Sequence, residues 1–384
     1  MISKVDSVCR VLIGGAGAPN YGDELIVKAW LDHFQHPGFS ANHFTLEENT
    51  GNVSKAFHLT EGHPLSSRAR FSNRYALLAK EIQNLTFWQQ VERGFNFISS
   101  HGISNLGFKQ PSDLLKISSF HLHGGGYFNE IRGDKGFYLG LAASLQKLYQ
   151  IPVFATGIGF GPFRSECHDR SLFEEIMSHF QLFEVRDPEG YSQLKNLAPS
   201  ARIIDGIDDC FVLPTNRLFR ADSQRHRLHL SLNSSHIQTY KDSFWSWLRE
   251  QASSFEEVLF WESFPWKDKE VIARICSEIP SCQVLTTSDL VHKTPPIGGH
   301  DVFLTHRFHV HFAAARAGAR GFYIAPCRYY KQKHQSIVKL GSGLTPLDFD
   351  LLPKLNQATS SQPLDESGLH HRKFKVVFDC YPNP

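Results

Sequence analysis

Short apolar runs that end in glycine or polar residues, each followed by a segment with apolar positions at helical spacing, recur along this chain. Val11, Leu12 and Ile13 run into GGAGAPNYGDE, and in the LIVKAWLDHF that follows Leu25, Ile26, Ala29, Trp30 and Phe34 share one side. That pattern predicts strand, loop, helix, with Asp23 and Glu24 in the first helical turn. Ser119 to Leu122 lead into HGGGYFNE, a helix is predicted near Leu139 to Tyr149, and IPVFATGIGFGP reads as a third strand with a glycine loop. FEEIMSHFQLFEVRDPEGYSQL then predicts helix, strand and helix, and RIIDGIDDCFVL a strand with an acidic turn at Asp205, Asp208 and Asp209. Between Asn42 and Pro111 the pattern is less regular, with RYALLAKEIQNLTFWQQVERGFNFIS the clear amphipathic helix. Its Phe87, Trp88, Phe95 and Phe97 read as core rather than as a sugar platform.

A second βα series starts at LHLSLN, continues through VLFWESF, the helix DKEVIARICSEI and CQVLTT, and reaches a strand at Val302, Phe303 and Leu304. Gly321 to Ile324 predict the next strand, and FKVVFDC near the end a late strand or a strap. Repeated βα units ending in glycine turns define a doubly wound α/β class, with ligands expected at the carboxyl edge of each sheet. The expected organisation is a Rossmann-like domain over 1–213, a polar linker over 214–226, a second Rossmann-like domain over 227–344 and a tail over 345–384. The chain length of 384 residues fits two such domains.

Composition narrows the partners. A net charge of +2 argues against a generally basic nucleic-acid-binding surface. Seven scattered cysteines without a C-x-x-C pair point to a reduced, cytoplasmic chain with no structural zinc, and no apolar run is long enough for a signal peptide or membrane span. No metal or cofactor is expected. The run HHRKFK reads as a solvated face, or as a weak membrane contact at the inner surface.

The chemistry concentrates at THRFHVHFAAARAG, Thr305 to Gly318. Thr305 is the expected N-cap, Val310, Ala313, Ala314 and Ala317 follow at helical spacing, and Gly318 stops the helix. A helix N-terminus favours anions, and Arg307 and His309 add cationic or donor groups there. Arg307 and His311, four apart, share a face, so spacing leaves open which histidine works. No carboxylate occurs between Asp301 and Asp348, whereas Arg307, Arg316, Arg320, Arg328, Lys331, Lys333 and Lys339 all do, which suggests a multiply anionic ligand.

GGAGAPNYGDE, HLHGGGYFNE, GIGFGP, EVRDPEGYSQL, DGIDD and THRFH, in that order, together resemble the polysaccharide pyruvyl transferase family over roughly residues 11 to 340. The resemblance implies a GT-B-like fold, two Rossmann-like domains facing a cleft, and transfer of a pyruvyl group from phosphoenolpyruvate to two hydroxyls of a saccharide, free or lipid-linked. It implies donor contacts from Arg307, Tyr330, Lys333, Arg328 and Gly125, and acceptor contacts from Asn20, Asp23 and Asn129. His309 is then a donor ligand or an acid/base. Asp23 and Glu24, on the domain facing it, orient hydroxyls, act as base, or only complement the helix dipole.

Two other classes compete. A nucleotide-sugar glycosyltransferase of the same architecture commonly needs a carboxylate beside the anion site, and the acid-free span from Val302 to Leu347 supplies none. A non-catalytic carbohydrate-binding homologue would keep the fold without the reaction.

Overall fold

The computed structural model describes residues 9–17, 19–34, 42–45, 82–103, 117–131, 135–222, 224–358 and 362–382. They form two compact units: Met1–Ala18, Ile26–Val212 and His371–Pro384 make the first, Pro19–Leu25 and Leu213–His370 the second.

The first unit holds β1 (Cys9–Ile13), α1 (Tyr21–Phe34), whose opening residues group with the second unit, β2 (Asn42–Thr45), α2 (Phe87–His101), β3 (Ile117–Leu122) and β4 (Gly125–Phe128). It continues with α3 (Gly136–Tyr149), β5 (Val153–Phe160), α4 (Arg170–Ser178), β6 (Leu182–Val185), α5 (Pro188–Leu197) and β7 (Ile203–Asp205). Its sheet is parallel, in the order β2-β1-β3-β5-β6-β7, with β4 also paired to β5. The chain steps outward from β1 to β2 and returns to β3, so the strand order reverses between β1 and β3. GIGF, expected as a loop, is strand. All eight residues of β5 are buried, because β4 and β6 flank its carboxyl end and leave its backbone no other partners. HGGGYF likewise carries a strand, β4, where a glycine turn was expected.

The aromatic helix starts at Phe87, where Thr86 and Gln89 form a reciprocal capping box. The predicted helical residues 74–81 lie outside the described set. Phe87, Trp88, Phe95 and Phe97 are core residues, as their spacing predicts. Helices α2 and α3 approach to backbone contact: a Cβ on Gly94 would lie 2.0 Å from the Phe137 carbonyl oxygen, and one on Gly140 1.9 Å from that of Val91.

The second unit runs α6 (Thr215–Leu218), β8 (Arg220–Ala221), β9 (Arg227–Ser231), α7 (Asp242–Ala252), β10 (Glu257–Trp261), α8 (Lys269–Glu278), β11 (Gln283–Leu285) and α9 (Thr287–His292). Then come β12 (Pro296–Ile297), β13 (Val302–Thr305), α10 (Phe308–Arg316), β14 (Arg320–Tyr323), α11 (Arg328–Val338), β15 (Thr345–Pro346) and α12 (Glu366–Cys380), the last ending in the first unit. The main sheet is parallel in the order β11-β10-β9-β13-β14-β15, so its order reverses between β9 and β13.

Three expectations change here. The 214–226 stretch carries α6 and β8, and β8 pairs with β12, so these polar residues form part of the second unit. The 345–384 stretch supplies β15 to the main sheet and α12. FKVVFDC is helical: Lys373, Val376, Val377 and Cys380 are buried at spacings of three and four, one face of a helix, which outweighs the β-branched pair within it.

Candidate active site

In an open parallel sheet the loops at the carboxyl ends of the strands diverge where strand order reverses, leaving a crevice. In the second unit those loops follow β9 and β13, and they carry Asn233 and Thr305-His306-Arg307.

The helix after β13 begins two residues later than the spacing predicts. Thr305 is claimed by the sheet, paired with both Ser231 and Tyr323, and its hydroxyl accepts the Arg307 amide at 2.8 Å. Arg307 is therefore the N-cap of α10, and His309 lies in the first turn. Arg307 donates from Nη2 to Asp268, whose side chain is fully buried, while its own buried Nε meets no acceptor among the described residues. Asp268 also accepts the amides of Ser263 at 3.0 Å and Phe264 at 2.8 Å. Burial raises the Asp268 pKa, with Arg307 and the two amides opposing it. The carboxylate that the acid-free sequence span seemed to deny this site thus arrives from another loop.

Around Arg307 stand Tyr330, Tyr240, His306 and His236. Asn233 Nδ2 donates to the Tyr330 hydroxyl at 3.0 Å. Burial holds Tyr330 above its ordinary pKa, with the Arg307 charge pulling the other way. The Tyr240 hydroxyl lies 3.0 Å from His306 Nε2, and His236 stacks on His306 with centroids 5.5 Å apart. Burial first, then neighbouring positive charge, pushes His306 far below its usual range.

The structure separates the three histidines of the motif. His334 Nε2 lies 3.2 Å from the His306 carbonyl oxygen and must donate to it, which makes His334 Nδ1 an acceptor. His311 Nδ1, at 2.8 Å, donates to that atom, so His311 Nε2 accepts from Ser342 at 2.7 Å. Both rings are neutral and fully buried, and burial lowers His334 to about 3. His311 is thereby committed to a structural chain. His309 instead packs on the motif at the start of α1: a Cβ on Gly22 would lie 1.9 Å from His309 Nδ1.

That contact places Asn20, Asp23 and Glu24 in the same unit as His309, not on a facing domain. The reason is local. Tyr21 donates its amide to the Ser263 carbonyl at 2.8 Å and packs edge-on to Trp261, which anchors the first turn of α1 there. Asn20 Nδ2 donates to Asp23 at 2.8 Å, and Glu24 is buried.

The remaining basic residues disperse. Lys333 holds its ammonium 4.0 Å from the Tyr329 ring centroid, Arg328 is exposed at the start of α11, and Arg316 is paired with Glu366 at 2.5 Å. The positive run in the sequence is thus dispersed in space rather than gathered at one point, and Arg307 is the member of it that stands at the strand-order reversal.

Gly125 and Asn129 belong to the first unit. Gly125 opens β4, and Asn129 uses its side chain to close the following turn, donating to Gly126 at 2.9 Å and accepting from Ile131 at 2.8 Å. Asn129, Thr86, Gln90, Glu130 and Ser165 line a cavity of about 510 Å³. Within the acidic turn after β7, Asp209 is committed to structural contacts. Asp209 accepts from Gly124 at 2.7 Å, Trp30 at 3.0 Å and Thr156 at 2.9 Å, and it pairs with Lys373 at 2.5 Å. Glu184 meets Lys373 at the same distance, and the two carboxylates hold that ammonium protonated far above its ordinary range. Lys373, expected on a solvated face, is fully buried. Sequence reasoning missed Asp268, Asn233, Tyr240 and His236. Only Asp268 left a signal, as an acid directly before a helix following an apolar strand.

A model of the family described as polysaccharide pyruvyl transferase matches residues 20–328. The chain belongs to the polysaccharide pyruvyl transferase family and is a transferase of that general kind. No curated protein matches the chain significantly. Among solved structures it is similar to a UDP-N-acetylglucosamine 2-epimerase described as putative, from Listeria monocytogenes, with TM-score 0.53, 10% identity and 98% of each chain covered. It is also similar to UDP-GlcNAc 2-epimerase from Neisseria meningitidis bound to UDP-GlcNAc, with TM-score 0.51 and 9% identity, covering 97% of this chain and 99% of that one. At such identity the likeness shows the fold, which is GT-B-like. No described helix is long and apolar enough to cross a membrane.

Proposed function

We propose that the protein transfers the pyruvyl group of phosphoenolpyruvate to two hydroxyls of a saccharide, forming a cyclic ketal and releasing phosphate. The observation that carries this reading is Arg307: a guanidinium at a helix N-terminus and a strand-order reversal, with a buried Nε–H lacking any described acceptor. A small dianionic or trianionic donor supplies such an acceptor, and the bidentate fork of arginine suits both its carboxylate and its phosphate.

The reaction needs a proton at the methylene carbon of the donor, attack of one hydroxyl on C2, rupture of the C2–O bond to phosphate, and closure by the second hydroxyl. The two hydroxyls lose two protons; one replaces that taken up by the methylene carbon, the other goes to the departing phosphate. His309, held against Gly22 in the first turn of α10, is the proposed proton carrier. Asp23, held by Asn20, is the proposed partner of the acceptor hydroxyls. Tyr330 and Asn233 extend the polar wall beside Arg307. Lys333 and Arg328 join as outer cations, and Gly125 and Asn129 are proposed on the acceptor side. We place the enzyme in the cytoplasm, acting on a precursor of an exported polysaccharide, free or lipid-linked.

The test is incubation of the protein with carboxyl-labelled phosphoenolpyruvate and a panel of saccharides. Label transfer with equimolar phosphate release, abolished in Arg307→Ala, is the expected result. Glycosyl transfer from a nucleotide sugar without any use of phosphoenolpyruvate would replace this reading.

A further inference from the structure

Asp268 occupies the N-cap of α8, yet its carboxylate makes no bond to its own helix. Aspartate at that position ordinarily accepts the amide two or three residues on. Here the third amide of the helix, that of Val271, goes instead to the Ser234 hydroxyl at 3.1 Å. Capping has been handed to a side chain from the loop after β9. Asp268 is thereby free to turn back, where one oxygen accepts the Ser263 and Phe264 amides and the other takes Arg307. Its side chain is fully buried and has no freedom left, whereas the Arg307 side chain is 17% exposed and mobile at its tip unless held.

From this delegated cap we infer that Asp268 is a positioning residue for donor binding, fixing the Arg307 guanidinium by one edge so that its remaining N–H groups meet the donor anion in a single orientation. The inference rests on Arg307 being the ligand of the phosphoenolpyruvate anion. Its physical content is preorganisation. An arginine tip carries large rotamer freedom, and an anchor that removes this freedom before the donor arrives strengthens each later hydrogen bond. The anchor also opposes binding, because it neutralises part of the charge that attracts an anion. The close contact and full burial of Asp268 make orientation the larger of the two effects.

The experiment is calorimetric titration of phosphoenolpyruvate into the full chain, which needs no saccharide. Asp268→Asn preserves shape and keeps a carbonyl oxygen for the Ser263 and Phe264 amides, but offers Arg307 no anion. Expected is a loss of affinity of about tenfold or more, and no further loss when Asp268→Asn is added to Arg307→Ala. Ser234→Ala removes the cap of the same helix and is expected to lower the melting temperature while leaving affinity within twofold. Arg307→Lys, which keeps the charge and loses the fork, is the second probe should Asp268→Asn fail to fold; it too is expected to lose about tenfold. Unchanged or tighter binding by Asp268→Asn, or by Arg307→Lys, would overturn the positioning role. If Ser234→Ala weakens binding as much as Asp268→Asn does, the effect belongs to the start of α8 and not to Asp268. Absence of binding by the wild-type chain would strike the donor reading itself, a result distinct from all of these.

Discussion

Each main sheet of this protein reverses strand order once and carries a polar cluster, but the two clusters are placed and built differently. The cluster of the second unit sits at the reversal between β9 and β13, whereas that of the first centres on β6 and the turn after β7 rather than on the reversal between β1 and β3. In the first unit Asp209 and Glu184 bracket Lys373, every partner is buried, and the Gly124, Gly157 and Ile207 amides, the Trp30 indole and the Thr156 hydroxyl donate to the two carboxylates. In the second, Arg307 has one carboxylate, one buried N–H without a described acceptor, and a ring of tyrosine and histidine side chains beside it. The first is closed on itself. The second has donor capacity left for a ligand. On the proposed function one cluster serves stability and the other chemistry, and the difference is legible in hydrogen-bond satisfaction rather than in the count of charges.

Perturbations of the two clusters should accordingly differ in what they damage. Lys373→Met leaves two buried carboxylates facing each other and is expected to cost about 3–5 kcal/mol of stability, read by denaturant unfolding. A loss below about 1 kcal/mol would mean that the first cluster is not closed. Acid should act next. His121 and His334 have folded pKa values of about 3, lowered by burial, against 6.5 when free. The unfolded chain binds their protons first, so their contribution is complete above about pH 6.5 and declines as pH falls toward 3. Each group costs roughly 1.4 kcal/mol per pH unit in that window, or about 4 kcal/mol for the pair at pH 5. His334→Gln should flatten this dependence measurably.

Arg307→Ala is expected to reduce pyruvyl transfer by about 100-fold, roughly 2.7 kcal/mol at the transition state, and to cost less stability than Lys373→Met, because it strands one buried carboxylate, Asp268, that keeps two backbone amides. Equal damage to stability and activity would erase the contrast with Lys373. Gly22→Ala introduces a Cβ into the space of the His309 ring and should lower turnover about tenfold while donor affinity stays. A variant with normal turnover would remove His309 from the proton path.

The apolar runs and glycine turns disclosed most strands of the two main sheets, though not β2, β4 or β15, because buried parallel strands are short and uniformly apolar, as at Val11 to Ile13 and Val302 to Leu304. They misplaced elements where local chemistry and tertiary pairing disagree: Thr305 has cap chemistry but is held by two neighbouring strands, and GIGF looks like a loop but lies between β4 and β6. The motif around Arg307 and His309 was visible as a cluster of donors at a strand-to-helix junction. Asp268 was not assignable to it, since the pairing spans 39 residues and only the fold brings the two loops together. The burial of Lys373 was hidden for the same reason: a basic run near the end of the chain carries no mark of the distant carboxylates that enclose one of its members.

The central claim is that the second cluster is open to a phosphoenolpyruvate anion through Arg307. The most direct measurement is the melting temperature of the wild-type chain and of Arg307→Ala, each titrated with phosphoenolpyruvate, inorganic phosphate and UDP-N-acetylglucosamine. A ligand that binds only the folded state raises the melting temperature. Stabilisation by phosphoenolpyruvate that exceeds that by phosphate and vanishes in Arg307→Ala is the predicted result. Stabilisation by the nucleotide sugar alone, or by phosphoenolpyruvate equally in both proteins, would contradict the account.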